Sequence, residues 1–220
     1  MKKYLKISLI IITIGIIFFS PRYLDSSKIY IENETKTVKS SVYAAITSDG
    51  KLFLSSNPIT KKLKKNYGKI KIDQFYPNWN KDAYQIKTVI IEDDIYPTSC
   101  YQWFYDCINL TEIKNIERLH TSQCKDIERM FYNCEKLKDI NVSNFDISKC
   151  MNLTELFAKC KSLERLDLRA FNTKNILDMR YMFEECKNLK EVKVSNQWNT
   201  DTIDTEGIFD GCEINTVTYD

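Results

Sequence analysis

Apolar and polar positions follow a frame that recurs five times along the second half of this chain. A phenylalanine opens each copy, at positions 104, 131, 157, 183 and 209, so the copies are almost equal in length. A cysteine follows three positions after every phenylalanine, and a leucine stands six positions after the first four. A catalytic motif is needed once, whereas a recurring frame is typical of units that stack and share one core. The predicted core consists of Phe104, Phe131, Phe157, Phe183, Phe209, Cys107, Cys134, Cys160, Cys186, Cys212, Leu137, Leu163 and Leu189.

The apolar spacing changes within each unit. Residues 150–160, CMNLTELFAKC, have apolar side chains at 150, 153, 156, 157 and 160, which is the spacing of one helix face. Residues 163–168, LERLDL, alternate as a leucine-rich-repeat strand does. We therefore predict an α/β fold for residues 99–220. It is a leucine-rich-repeat solenoid with a short parallel strand and a short helix per repeat, four repeats and a truncated terminal one.

Residues 25–98 lack the frame and contain short alternating or β-branched runs such as SVYAAIT and IKTVIIE. The sequence SDGK (48–51) between two of these runs is a hairpin signal. These patterns predict a small β-rich N-terminal cap that covers the first repeat and shields its open edge.

Residues 1–24 have the composition of a targeting segment. Lys2, Lys3 and Lys6 precede an apolar run from Ile7 to Phe19. That run has the length of a signal-peptide apolar region and is short for a membrane span of roughly 20 residues. The following FFSPRY is a poor cleavage site. A cleaved signal peptide and an N-terminal membrane anchor at 1–24 both stay open, and either places the remaining chain outside the cell or on its surface.

The repeat residues resemble those of the BspA-like leucine-rich-repeat bacterial surface proteins. The segment FNTKNILDMRYMFEECKNLKEV (171–192) is similar to that family's MFxxCxxLxxLxL repeat, and the likeness extends over about 44–217. Cys124 and Cys150 stand where the family usually has valine. The resemblance implies an exported protein associated with adhesion and host-protein binding. It carries over no defined binding residues.

Charge and motifs argue against several classes of function. The net charge of +2 gives no strong field for nucleic acid, and the lysine-rich KKLKKNYGKIK (61–71) is read as a solvated loop or edge. The chain has no nucleophile elbow, phosphate loop or metalloprotease helix motif. Adjacent Asp93 and Asp94 are explained by a turn, and His120 by a surface loop. We therefore expect no enzyme, no cofactor and no metal site.

The eight cysteines allow two interpretations. In an exported protein they suggest disulfides, and neighbouring rungs of a stack lie close enough to pair. Cysteine also serves as a small apolar residue with a weak thiol donor, which is the interpretation that a column in constant phase favours. A zinc site usually includes a Cys-x-x-Cys pair, and the cysteines of this chain are spaced more widely than that.

The outward positions of the predicted strands are the candidate binding face. Opposite charges alternate from copy to copy there, as in Lys138, Glu164 and Lys190, so no one-signed patch forms. The candidate face consists of Tyr105, Tyr132, Lys138, Asn141, Glu164, Asp167, Lys190 and Lys193. We predict an exported, non-catalytic surface interaction or adhesion protein that binds a protein or an extracellular or cell-wall polymer. The alternatives are a structural envelope component that self-associates through its terminal repeat and, more distantly, an exported enzyme with a site in the cap.

Overall fold

The computed structural model describes residues 42–61, 63–70 and 77–220. The targeting segment predicted at 1–24 lies outside the described residues, as do parts of the predicted cap. Within the described ranges, no helix has the length and apolar character that crossing a bilayer requires.

Five strands form the first sheet, in the order β3-β1-β2-β4-β5. They are β1 (Val42–Ile46), β2 (Lys51–Ser55), β3 (Lys65–Ile70), β4 (Thr88–Ile91) and β5 (Glu112–Lys114). The predicted hairpin is confirmed, because β1 and β2 pair antiparallel across the turn that ends at Gly50. β2 pairs parallel with β4, and β4 pairs parallel with β5. The sheet is therefore mixed, and it crosses the predicted domain boundary at 98/99.

A second, smaller sheet is built by the repeats themselves. It contains β6 (Arg165–Asp167), β7 (Glu191–Val194) and β8 (Thr218–Tyr219), all parallel. Arg165 pairs with Glu191, and Leu166 with Val192. These partners occupy the same place in successive copies, as the frame predicts.

The predicted α/β leucine-rich-repeat solenoid is wrong. The described residues contain no α-helix, and their helical elements are the 3₁₀ helices Asn80–Gln85, Ile116–Arg118 and Thr173–Asn175. Both sheets are open, and the first is mixed rather than purely parallel. The fold consists of open sheets joined to consecutive turns.

The residues predicted as a helix form turns whose hydrogen bonds span three residues. The N–H of Leu156 donates to Leu153, that of Cys160 to Phe157 and that of Leu163 to Cys160, with N···O distances of 3.2, 3.2 and 3.0 Å. Such bonds place every third residue on one side, which resembles the spacing of a helix face. Positive φ angles at Glu155 (51°) and Lys159 (62°) interrupt any continuous helix.

We call residues 102–106, 129–133, 155–159, 181–185 and 207–211 the first to fifth turn segments. Each is centred on one phenylalanine of the frame, and its first and last residues have positive φ. At each of the four junctions, the first, third and fifth N–H groups of one segment donate to carbonyls of the next copy. At the third junction the donors are Glu155, Phe157 and Lys159, with N···O distances of 3.0, 2.9 and 2.6 Å. All twelve N–H groups therefore point in the same direction along the stack.

The side chains of the frame stack in the same order. Neighbouring phenylalanine ring centroids lie 5.5, 5.3, 6.0 and 5.2 Å apart from the first copy to the fifth. The thiols of Cys134, Cys160, Cys186 and Cys212 each donate to the carbonyl of the preceding phenylalanine at 2.9–3.2 Å. The prediction that the five frames stack on one another is therefore confirmed, although the elements between them are turns.

One apolar core runs from the first sheet into the turn segments. It buries the predicted phenylalanines, cysteines and leucines of the first four copies. Phe209 and Cys212, predicted as core, are only partly buried because no further copy covers them among the described residues. At the opposite end, the Trp79 indole N–H donates to the Trp103 carbonyl at 2.6 Å, and the two rings meet edge to face.

Candidate interaction surface

An open groove of about 610 Å³ lies on the outward side of the second, third and fourth copies. Its floor includes Ile140 and Leu166, which follow one another in register along the stack. Its charged rim is formed by Asp139, Arg165, Asp167, Arg169, Glu191 and Lys193. Because these side chains alternate with buried residues, the pleat of the strands directs them outward.

Five of the six rim charges form ion pairs: Arg165, Asp167, Arg169, Glu191 and Lys193. Arg169 binds Asp167 at 2.7 Å and Asp220 at 2.8 Å. Hydrogen bonds from Arg169 hold the pKa of Asp167 below its usual value. Arg165 lies 3.8 Å from Glu191 and keeps 70% of its side chain exposed. The groove therefore presents positive and negative side chains within a few ångströms of each other. Arg165 has the most exposed side chain of the paired cations.

Three residues of the predicted binding face line this groove, namely Asn141, Asp167 and Lys193. Three others form the adjoining column, in which the Glu164 N–H donates to Lys138 and the Lys190 N–H donates to Glu164. Lys190 also binds Glu164 at 3.2 Å, and this contact lowers the pKa of Glu164. The structure thus brings six of the eight candidates onto one charged surface.

Tyr105 and Tyr132, the other two candidates, do not line the groove. Their rings stack on each other at 4.8 Å, and the Lys159 ammonium lies 4.9 Å from the centre of the Tyr132 ring. Burial is the main cause that raises the pKa of Tyr105. These half-buried tyrosines belong to the turn segments and pack against their own column.

The site prediction omitted Arg169, which joins the rim to the end of the chain through Asp220. Arg169 lies beyond the alternating strand positions, and Asp220 is distant from it in the sequence. No periodic signal could have found that contact. Asp139, Arg165 and Glu191 also line the groove, and their equivalent places in successive copies did indicate a column.

The acidic pair Asp93 and Asp94 is divided between different partners. Asp93 accepts hydrogen bonds from Ser55, Ser56 and Asn57, which lower its pKa although partial burial acts to raise it. Asp94 lies 3.1 Å from the His120 Nε2, and the imidazole stacks on Tyr96 at 4.5 Å. Asp93 therefore holds the loop at 55–57 in place, and Asp94 holds the imidazole ring of His120. Among the described residues, no group of three or more histidine, cysteine or acidic side chains is arranged to hold a metal ion.

These features define a class of protein in which turns and short strands stack, with the phenylalanines and cysteines of each copy inside and charged side chains outside. Residues 98–218 match the family described as "Mycoplasma protein of unknown function, DUF285". The match covers more than half of the chain, which therefore belongs to this family.

The chain is also similar to one solved structure, that of a leucine rich cell surface protein from Faecalibacterium prausnitzii A2-165. The two are 17% identical with a TM-score of 0.40. The likeness covers 77% of this chain and 45% of that one, so this chain spans less than half the length of that protein. A comparison with curated proteins gives no match.

Proposed function

We propose that this chain is a non-catalytic interaction protein of the cell surface, of the BspA-like type, that binds another protein through the groove. The basic and then apolar composition of residues 2–19 supports export, and the repeat motif supports the family type. The observation that carries the binding role is the groove itself. It is open, it spans three copies, and Arg165 and Lys193 stand beside Asp139 and Glu191.

The mixed charges of the groove indicate the kind of partner. A polyanion such as nucleic acid would meet three carboxylates, Asp139, Asp167 and Glu191, beside the three cations of the rim, so the groove offers it no net attraction. An extended polypeptide with both acidic and basic side chains can match the alternation along the stack. The strands below the groove are held by main-chain hydrogen bonds, so the surface is organised before the partner arrives.

The test is a binding measurement with purified partners. The full chain is measured by biolayer interferometry against a panel of extracellular matrix proteins and, separately, cell-wall polysaccharides. We expect at least one matrix protein to bind and the Arg165→Glu/Lys193→Glu variant to weaken binding by about tenfold or more. The matched control is Lys125→Glu/Lys174→Glu, which changes two exposed lysines outside the groove and should leave the affinity unchanged.

If only the polysaccharides bind, the partner is a cell-wall polymer and the proposal of a protein partner is wrong. Equal affinities for the groove variant and the control, or no binding to any member of the panel, would refute the groove as the binding site.

A further inference from the structure

The strand side of the stack is interrupted at the second copy. β5 of the first copy pairs with β4, and β6 of the third copy pairs with β7. Residues 138–142, at the equivalent place in the second copy, form no strand, and none of their N–H groups has a main-chain partner among the described residues. The two sheets are therefore separate, although the turn segments continue past this point with three hydrogen bonds at every junction.

The interruption follows the one copy that is a residue longer than the others. The first two phenylalanines of the frame are 27 residues apart, and the later steps are 26 residues. The extra residue falls in the loop between β5 and Cys124. Asn115, the first residue of that loop, has a φ of 58°, which ends the extended backbone. The main-chain ladder thus stops beyond the copy that departs from the common length.

The interruption leaves two apolar side chains partly open. Ile113 and Ile140 stand nine positions after their phenylalanines, as do Leu166 and Val192 in the next two copies. Leu166 and Val192 are buried, whereas Ile113 and Ile140 are only partly buried. We call Ile113 and residues 139–141 the second-copy gap. At this gap the groove has an apolar surface that the continuous part of the sheet closes elsewhere.

The second-copy gap also contains the rim charge that forms no ion pair within the described residues. That charge is the exposed carboxylate of Asp139. Its neighbour in the same column, Arg165, lies 3.8 Å from Glu191 in the following copy. The preceding Lys138 belongs to the adjoining column. A free carboxylate beside a partly open apolar surface favours a ligand group that is apolar along its length and cationic at its tip.

Among the groups that a protein partner presents, the arginine side chain has this form. Its methylenes lie on apolar surface while the guanidinium stays at the edge. The guanidinium donates two parallel hydrogen bonds to a carboxylate, and it has further N–H groups for main-chain carbonyls. The carbonyls of residues 139–141 accept no main-chain hydrogen bond from the described residues. The gap therefore offers acceptors for the whole guanidinium, whereas a calcium ion would need about six to eight oxygen ligands.

We propose that the second-copy gap is an anchor site for an arginine side chain of the partner polypeptide, whose guanidinium pairs with Asp139 while its methylenes cover Ile113 and Ile140. This inference rests on the proposed function, because it names a side chain that the partner in the groove presents. An acidic residue beyond that arginine would meet Arg165, the most exposed of the paired cations. The anchor thus makes the groove selective for a basic residue followed closely by an acidic one.

The experiment titrates the full chain with short acetylated threonine peptides that differ only at the central residue. That residue is arginine, citrulline, which has nearly the same shape without the charge, or diaminobutyrate, which has a charge on a shorter stem. NMR follows the backbone amides of 139–141 and the methyl groups of Ile113 and Ile140. We expect the arginine peptide to shift these signals and to bind at least about threefold more tightly than either of the others.

Two variants separate this anchor from general electrostatic attraction. Asp139→Asn should bring the arginine peptide to the affinity of the citrulline peptide. The matched control is Asp201→Asn, which removes an exposed carboxylate outside the groove and should change nothing. An equal loss of affinity in the two variants would overturn the anchor.

Three other results would also overturn it: equal binding of the arginine peptide and either of the others, signal shifts only at residues outside the gap, or no binding of any peptide. Shifts at 139–141 that appear when the chain alone is concentrated would assign the gap to a second copy and likewise refute the proposal. None of these results decides whether the groove binds a protein, because the biolayer comparison with Arg165→Glu/Lys193→Glu tests that separately.

Discussion

The third and fifth turn segments have the same frame but differ in environment. Phe157 lies between the rings of Phe131 and Phe183, at 5.3 and 6.0 Å, and is fully buried. Phe209 has one such neighbour, at 5.2 Å, and is only partly buried. The frame thus specifies which side chains face along the stack, while the number of neighbouring copies decides how deeply each is buried. Stability in such an arrangement depends mainly on nearest-neighbour contacts.

The largest expected effect of this difference is on the free energy of unfolding. Phe157→Ala removes a ring packed on both faces and should cost about 4 kcal/mol, in the range for a buried phenylalanine. Phe209→Ala removes a ring packed on one face and should cost about 1 to 2 kcal/mol, because less surface returns to water. Urea unfolding followed by circular dichroism measures both variants against the unchanged chain.

Equal costs for the two variants would contradict the comparison, because they would mean that the fifth copy is packed as tightly as the third. Phe183→Ala is the control: its ring also lies between two others, so its cost should match that of Phe157→Ala rather than that of Phe209→Ala.

The second effect is on thiol reactivity, and it compares the cysteine of the fifth copy with those of the other copies. The eight cysteines are free in the structure; seven are buried, and Cys212 is partly buried. The neighbouring thiol of Cys186 lowers the pKa of Cys212, and Cys212 in turn raises the pKa of Cys186, which is also buried. At neutral pH a maleimide should label Cys212 at least about 100-fold faster than the other thiols, since the thiolate is the reactive form and the others must await opening.

Mass spectrometry of the labelled chain measures these rates. The control is Cys212→Ala, which should lose the fast phase and keep the slow ones. Fast labelling of Cys160 in the folded chain would show that the interior is open. In the unfolded, unreduced chain we expect at least five labelled cysteines, and two or fewer would mean that the column forms disulfides instead.

The sequence predicted the columns of this fold better than its elements. The constant phase of phenylalanine and cysteine fixes which residues meet, and Phe131, Phe157 and Phe183 do stack. The helix prediction failed because three-residue turns, from 153 to 156 and from 157 to 160, produce the same apolar spacing as one face of a helix. The left-handed residues that distinguish them, such as Glu155 and Lys159, have no composition signal, since glycine fills these positions only in the fifth copy.

The candidate surface was predictable to a similar extent. Columns that recur once per copy identified Asn141, Asp167 and Lys193, because register is inherited from the repeat. The tyrosines do not line the groove, since their position beside the phenylalanine puts them in the turn segments, and their role in binding stays a prediction. The contact of Arg169 with Asp220 depends on how the last residues return to the stack, and no local pattern encodes that.

The smallest effect concerns a column of side chains that close the turns before each phenylalanine. Asp126, Asn152, Asp178 and Asp204 occupy the same place in successive copies, and each accepts the N–H of the residue two positions later at 2.7–3.1 Å. Partial burial raises the pKa of Asp126. Hydrogen bonds from Arg180 lower the pKa of Asp178, although its partial burial acts in the opposite direction. The pKa values of two carboxylates in the same structural role are therefore shifted in opposite directions from the usual value of about 4.

The two shifts predict opposite dependences of stability on pH. The contribution of Asp178 is present above its unfolded pKa and is lost as the pH falls through its lower folded pKa. Asp178→Asn should therefore destabilise the chain near pH 6 and make progressively less difference toward pH 3. The contribution of Asp126 is present below its unfolded pKa and is lost as the pH rises through its higher folded pKa. Asp126→Asn should therefore match the unchanged chain near pH 3 and exceed it near pH 6, by less than about 1 kcal/mol.

Asparagine suits these positions because Asn152 already closes its turn through the same hydrogen bond, at 2.7 Å from the Thr154 nitrogen. Each variant therefore removes a charge and keeps the acceptor of the turn hydrogen bond. Asp178→Asn also removes an oxygen that accepts from the Arg180 guanidinium, so its effect reports the whole ion pair. Urea unfolding at a series of pH values gives the difference between each variant and the unchanged chain. That difference should move in opposite directions for the two variants as the pH rises. Parallel curves would mean that Asp126 and Asp178 have the same electrostatic environment. The ion pair of Arg180 with Asp178 would then add nothing to the stability of the fourth copy.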